Sequence, residues 1–359
     1  MQPCPVGLPS CSTGWSAMTE VAFDTLSSAD QADALEVAAG LLGRPTYLLE
    51  KDLWVVYSLQ ALLRTEFADD LTFKGGTSLS KGYDVIRRFS EDVDITYDIG
   101  AIAPDLSAMT GDEVLPDTPS QANKWSKRIR KRVEDWAATE ILPVIAGELQ
   151  RLSTFAAIRA ERDSLHVEYQ PLFEGSDFVR PEVRIEFGAR STGEPRERRA
   201  ISCDADRAMP KLTFPVVRPM VMRPERTFWE KATAVHVFCV NTGKGGDRLS
   251  RHWYDLVRLD ESEFATLALD DRQLAEQVAR LKNTFFREKD DGGAWIDFRE
   301  VVSGSLHLVP DGDRGEIIAD DYDKMVASGM LPPDAEPFDV LMSKCGDLER
   351  RSNTLVNKT

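Results

Sequence analysis

Asp92 and Asp94 sit two residues apart in the run DVDITY at 92–97, alternating with Val93 and Ile95. On a strand that spacing puts both carboxylates on one face. Two like charges so close repel, and a divalent cation between them is the simplest way to keep both ionised. An all-oxygen site suits Mg²⁺, or Mn²⁺ in its place. Glu186 is a third acid, inside the otherwise apolar run VRIEF at 183–187. Beside the first strand it would complete a two-metal clamp for an attacking and a leaving oxygen. It reads equally as a structural partner of Arg184 or Arg190.

Upstream lies FKGGTSLSKGYDVIRR at 73–88. Gly75 and Gly76 permit close backbone approach, and Thr77 and Ser78 open a helix expected over 77–88. Its free N–H groups and positive dipole end suit a phosphate. A phosphate turn followed by a metal-binding strand would bracket a nucleoside triphosphate. Arg87 and Arg88 read either as a basic flank for phosphates or acceptor, or as a solvated helix end.

These groups need elements to hold them. Helical periodicity marks 28–42, with a serine cap, and 47–65 after Pro45. LTF at 71–73 reads as a short buried strand, and LHVEYQ at 165–170, VRIEF and LTFPVV at 212–217 as further strands. Residues 101–119 read as a loop, followed by a basic helix reaching about Leu142. Beyond Pro224 come helices over ERTFWEKATAVHVF, RHWYDLVRL and AEQVARLKNTFF, with a Gly-rich loop, 241–250, between the first two. The fold class expected is α+β: a mixed α/β domain over 18–220 and a mainly helical domain over 221–359 that completes the site. AWIDFREVV and DYDKMVASGML suggest packing helices in the last hundred residues. Residues 1–17, rich in Pro, Ser and Gly, read as disordered or as an extension before a start at Met18. Trp54, Trp229 and Trp253 are expected in the core.

A chain of 359 residues, 42% hydrophobic, can bury a full core. No apolar run spans a bilayer, so a soluble cytoplasmic protein is expected. Five scattered cysteines and four histidines indicate neither a disulfide framework nor a histidine-rich metal site. His236 and His252 read as packing or hydrogen-bonding residues, with His252 a possible substrate contact. The net charge of −16 argues against a surface that coats nucleic acid. KWSKRIRKR at 124–132 is the densest basic run. Trp125, Ile129, Val133 and Trp136 give it one apolar face. It reads as a solvated amphipathic helix or, against the acidic background, as a docking place for a polyanion such as RNA through Lys127, Arg128, Lys131 and Arg132.

KGGTSLSK followed by RFSEDVDI resembles the signature of the AbiEii/AbiGii-type nucleotidyltransferase toxins, a branch of the polymerase-β-like nucleotidyltransferase superfamily. The resemblance takes in EKDLWVVYSLQALL at 50–63, VRIEFGARS at 183–191, RTFWEKATAVH at 226–236 and RHWYDLVRL at 251–259. It implies a polymerase-β-like domain with a small mixed sheet. Lys74, Gly75, Gly76, Thr77, Ser78 and Ser90 would bind nucleotide, and Asp92 and Asp94 would hold metal. Lys231 would reach the triphosphate, and Asp255 would close the site. Without the resemblance, Lys231 and Glu230 read as a solvated helix pair, and Asp255 as a cap or a partner of Arg251.

The activity implied is transfer of a nucleoside monophosphate, often a pyrimidine nucleotide, from an NTP to the 3′ end of tRNA, blocking translation. The resemblance further implies a toxin of a type IV toxin–antitoxin or phage-defence pair, with a separately encoded antitoxin that also represses transcription. Two other readings stand beside it: nucleotide transfer to a protein or small-molecule hydroxyl, and a non-catalytic nucleotide- or RNA-binding module.

Overall fold

The computed structural model describes residues 21–107, 115–116, 118–152, 156–175, 179–241, 243, 246–332 and 334–355. The expected extension at 1–17 lies outside the described residues, as do positions 242, 244 and 245 of the Gly-rich loop.

One mixed sheet is the platform of the molecule. Its strands are β1 (Leu71–Lys74), β2 (Val93–Tyr97), β3 (Ala157–Glu161), β4 (Ser164–Glu168), β5 (Glu182–Gly188), β6 (Arg196–Arg198) and β7 (Met220–Met222). They lie in the order β3-β4-β5-β2-β1-β7-β6. Antiparallel β1 and parallel β5 flank β2. Val93, Ile95 and Tyr97 of β2, and Val183, Ile185 and Phe187 of β5, are buried on one face. The intervening Asp94, Arg184 and Glu186 are thereby left on the other. Sequence alternation did not reveal β3, β6 and β7. The burial pattern of β3 shows no buried residue, and β6 and β7 have three residues each. Of LTFPVV, only Leu212–Thr213 is a strand, paired in parallel with Val21–Ala22.

Helix α1 (Ser28–Leu42) forms as its periodicity and cap dictate, whereas α2 (Thr46–Leu62) follows Pro45 without a side-chain cap, ends before the expected residue 65 and is buried on nearly every side. Ser27 accepts the Asp30 N–H at 3.2 Å, and Gly43 ends α1 in the left-handed conformation. The segment after β1 departs from expectation. Helix α3 covers only Gly75–Lys81, and residues 82–92 run irregularly instead of continuing to 88. Asp84 takes a positive φ of 56°, which a helix cannot accommodate, and the released chain lets Arg88 turn inward. Within the expected loop at 101–119 lie the helical turns Ile99–Ile102 and Pro104–Ser107.

Helix α4 (Pro119–Trp136) starts at a reciprocal Thr118–Gln121 capping box. It continues through the π-turn Ala137–Ile141 into α5 (Leu142–Leu152), past the expected end. Trp136 anchors it to the sheet, with ring centroids 4.5 Å from Tyr97 and 5.2 Å from Phe187. The later helices are α6 (Pro224–Val240), α7 (Arg251–Glu261), α8 (Phe264–Asp270), α9 (Arg272–Phe285), α10 (Phe298–Val302), α11 (Asp313–Ala327) and α12 (Phe338–Leu355). No helix among the described residues is long and apolar enough to cross a membrane.

The buried apolar residues form two main clusters. The first gathers the sheet, α1, α2, α4 and α5, and takes in Phe285 from the end of α9. The second gathers α6 to α12, and takes in Leu79 of α3 and Ile86 beyond it. The exchange places the α3 region and α9 at the seam where the site lies. Trp54, Trp229 and Trp253 are all buried.

Helix α2 carries its own ionic ties. The Lys81 ammonium bonds Asp52, and Asp52 accepts the Asp204 N–H at 2.7 Å. Glu50 is 2% exposed and accepts the Leu172 N–H at 2.8 Å, and burial pushes its carboxyl up to about 7. A carboxyl raised from 4.5 binds its proton more tightly folded than unfolded. The stability it contributes is full below pH 4.5 and lost as pH rises through 7. Glu50→Gln is therefore expected to flatten the fall in stability between pH 5 and 8 by on the order of 2 kcal/mol. Urea unfolding of both proteins at the two pH values measures this, and parallel wild-type and variant curves would refute it.

Candidate active site

The strand register decides how the acids meet. Asp94 of β2 stands directly opposite Glu186 of the parallel β5, and Asp92, one residue before the strand begins and not within it as expected, also lines the cavity. All three line a cavity of about 500 Å³. Burial raises the Asp92 and Glu186 carboxyls, and neighbouring carboxylates, Asp94 among them, add to it. Arg184, on the sheet face of Asp94 and Glu186, opposes the rise. Its Nη2 bonds Glu186 Oε2 at 2.5 Å, and its Nε lies 3.7 Å from Asp92 Oδ1. Glu186 thus pairs with Arg184 and not Arg190. Among the described residues no three His, Cys, Asp or Glu side chains converge tightly enough, as they stand, to grip one ion. The donor set, hard carboxylates whose mutual repulsion disfavours ionisation, nonetheless fits a divalent cation.

The glycine pair is explained by what presses on it. Gly75 has φ +80°, and a methyl group there would overlap the Asp94 carboxylate. At Gly76 it would overlap Arg88 Nη2 and sit 2.9 Å from Ser90 Oγ. Both positions must lack a side chain so that an acid and a guanidinium can approach the turn.

Lys74, Gly75, Gly76 and Ser90 line the cavity, but Thr77 and Ser78 do not. The Thr77 hydroxyl donates to the Asp92 carbonyl oxygen at 2.6 Å and lies 2.9 Å from Ser90 Oγ. Ser78 Oγ donates to the Gly75 carbonyl oxygen at 2.9 Å. These two hydroxyls fasten the turn from behind and do not face a ligand.

Asp255, from α7, is fully buried behind the cavity wall. Arg88 holds it with two hydrogen bonds, Nε to Oδ1 at 2.6 Å and Nη2 to Oδ2 at 2.8 Å. Lys231 Nζ, from α6, lies 2.8 Å from Oδ2. Burial alone would raise this carboxyl, but Arg88 and Lys231 hold it well below the ordinary range. Lys231 is no solvated helix residue: burial, with Arg88 and Arg251 nearby, lowers its pKa, and it lines the cavity. Asp255 pairs with Arg88 and Lys231 and not Arg251. His252 also lines the cavity, and its Nδ1 has no hydrogen-bond partner among the described residues. Burial lowers its pKa well below the usual value, so it is neutral.

Sequence reasoning left Arg87 and Arg88 undivided. Arg87 is exposed and bonds Asp334, whereas Arg88 is a buried cavity residue. It missed Arg226, Arg251 and Lys282 as cavity residues. The RTFWEK and RHWYD runs offered a signal for the first two. None existed for Lys282, which α9 brings in. With Lys74, Arg88, Arg184, Arg190 and Lys231, they give an acidic chain a cation-rich cavity. The residues expected to bind RNA are mostly spent. Asp105 pairs with Arg128 and Arg132, and Asp135 with Lys131, which leaves Lys127 of the four without an ion pair among the described residues.

The family described as nucleotidyl transferase AbiEii toxin, type IV TA system, matches residues 58–344. A search of curated proteins finds no match. Among solved structures, MenT4, a nucleotidyltransferase toxin of Mycobacterium tuberculosis, is 17% identical, with 92% of this chain and 99% of that one covered and a TM-score of 0.38. JHP933 of Helicobacter pylori is 14% identical, with 86% and 92% covered and a TM-score of 0.38.

The Asp255 cluster sets a graded stability test. Asp255→Asn leaves two buried cations uncompensated and is expected to cost about 3–5 kcal/mol. Lys231→Met removes one cation but keeps the Arg88 pair, and should cost clearly less. Gly75→Ala, at positive φ, should cost about 1–2 kcal/mol. Denaturant unfolding ranks the three, and equal losses for the first two would contradict the arrangement.

Proposed function

The chain belongs to the AbiEii nucleotidyltransferase toxin family of type IV toxin–antitoxin systems, and from that premise we propose that its cavity moves a nucleoside monophosphate, pyrimidine by preference, from an NTP to the 3′ end of tRNA. The register-paired carboxylates of Asp94 and Glu186, with Asp92 beside them in a cation-rich cavity of a strongly acidic chain, carry this reading. An acceptor hydroxyl attacks the α-phosphorus, the new P–O bond forms, and the bond to pyrophosphate breaks. Asp92, Asp94 and Glu186 would hold Mg²⁺ or Mn²⁺, which when bound supplies charge neutralisation and a more acidic acceptor hydroxyl.

The chain's own groups do the rest. Gly75 and Gly76 keep the turn low enough for the phosphates, with Ser90 and Lys74 beside them. Lys231, Arg88 and Arg251 oppose the negative charge of the leaving pyrophosphate. Asp255 touches no ligand from its buried place and is a positioning residue, acting through Lys231 and Arg88. His252 contributes a neutral imidazole to the cavity wall. Family membership implies a cognate antitoxin. The toxin would act in phage defence, opposed by a separately encoded antitoxin that also represses transcription.

One observation favours a second reading. The self-pairing of Arg128, Lys131 and Arg132 shrinks the RNA-directed charge, which suits a protein or small-molecule hydroxyl as acceptor.

Purified protein with Mg²⁺, each labelled NTP in turn, and total tRNA tests the proposal. Label should enter tRNA from one pyrimidine NTP above the others, and EDTA should abolish transfer. Asp92→Ala should lower transfer by roughly 10³-fold. Label on protein instead of tRNA would move the acceptor to the second reading. Undiminished transfer by the variant would refute the carboxylate site.

A further inference from the structure

An exposed ring stands at the mouth of the cavity. Phe286, just beyond α9, is 38% exposed and lines the cavity, with the Arg190 guanidinium 4.1 Å from its centroid and Lys282 Nζ at 5.6 Å. A single exposed phenylalanine needs no explanation. This one has cations around it and reacting groups below it. Trp295, 54% exposed, repeats the arrangement under Arg287 at 4.1 Å, in a groove that the start of α4 helps to wall.

Helix α4 packs against α9 and connects the two places. Arg130 lies close enough to Arg190 for its charge, added to burial, to depress the Arg190 pKa. Arg130 is the last of three cations spaced by three, with Lys124 and Lys127 before it. All three are exposed and have no ion pair among the described residues, unlike Arg128, Lys131 and Arg132. At 1.5 Å per residue the strip is about 9 Å long. A charged strip on a helix packed against the element that leads into exposed rings is the chemistry that holds single-stranded nucleic acid, phosphates on the cations and bases on the rings.

We propose that Lys124, Lys127 and Arg130, with Phe286 and Trp295 as stacking platforms, seat the single-stranded 3′ end of the RNA acceptor and deliver its terminal hydroxyl to the cavity. This rests on the RNA-acceptor reading above. It replaces the paired cations of α4 with the unpaired ones as the phosphate contacts.

The test is binding of a fluorescent single-stranded RNA oligonucleotide, without NTP, across a salt series. Beside it runs NTP-dependent labelling of tRNA. Reversing Lys124, Lys127 and Arg130 together to Glu should weaken binding at least roughly tenfold at low salt and flatten the salt slope by about two. Phe286→Ala should weaken binding roughly tenfold without changing that slope. Arg128→Gln, a residue already paired with Asp105, should leave both unaltered. Unchanged thermal unfolding of these surface variants excludes a folding defect. If wild type labels tRNA while the triple variant binds and labels equally well, the strip is wrong and the acceptor reading stands. If wild type binds no RNA and labels protein, both fall.

Discussion

The Asp255 carboxylate and its two cations hold the site together. Asp255 comes from α7, Lys231 from α6, and Arg88 from the irregular segment that returns to the sheet. No water reaches the carboxylate, so each partner it lost would leave a charge in a poorly polarisable surrounding. The pairing also sets where Lys231 and Arg88 stop, because both side chains end at one buried point. A cavity wall made of two long, flexible cations thereby acquires fixed geometry.

The same arrangement accounts for the turn after β1. Arg88 can reach Asp255 only by passing over Gly76, and Asp94 can face the cavity only by passing over Gly75. The glycines therefore serve the protein's own side chains as well as a phosphate. Had α3 continued to residue 88 as a regular helix, Arg88 would have been carried on the helix surface. Its early end converts a solvated helix end into a cavity residue, while Arg87 beside it remains at the surface with Asp334.

Charge is distributed with the same economy. The chain carries a net charge of −16, yet basic side chains from β1, β5, α6, α7 and α9 line the cavity. An acidic exterior and a cationic interior focus an anionic substrate on the site. Arg184 lies between Asp92 and Glu186 and neutralises part of the acidic face. Two acids, Asp105 and Asp135, pair with three of the basic residues of α4 and offset two of their charges, so the density of a basic run overstates the charge it can offer a partner.

By itself the sequence determined the features that depend on neighbours along the chain. Alternation put Asp94 on the polar face of its strand, with Asp92 just before the strand begins, the Ser27 cap and Gly43 bounded α1, and the order of glycines and acids pointed to a nucleotide. Nothing local could show that Glu186 falls opposite Asp94, since register between β2 and β5 is settled by packing of their apolar faces. Nor could it show that Thr77 and Ser78 turn away from the cavity, or that Arg88 meets an aspartate far along the chain. Those outcomes, with the arrival of Lys282 from α9 and of Phe286 just beyond it, belong to the tertiary structure. Burial sets which charges must pair, and only the assembled fold brings the partners within reach.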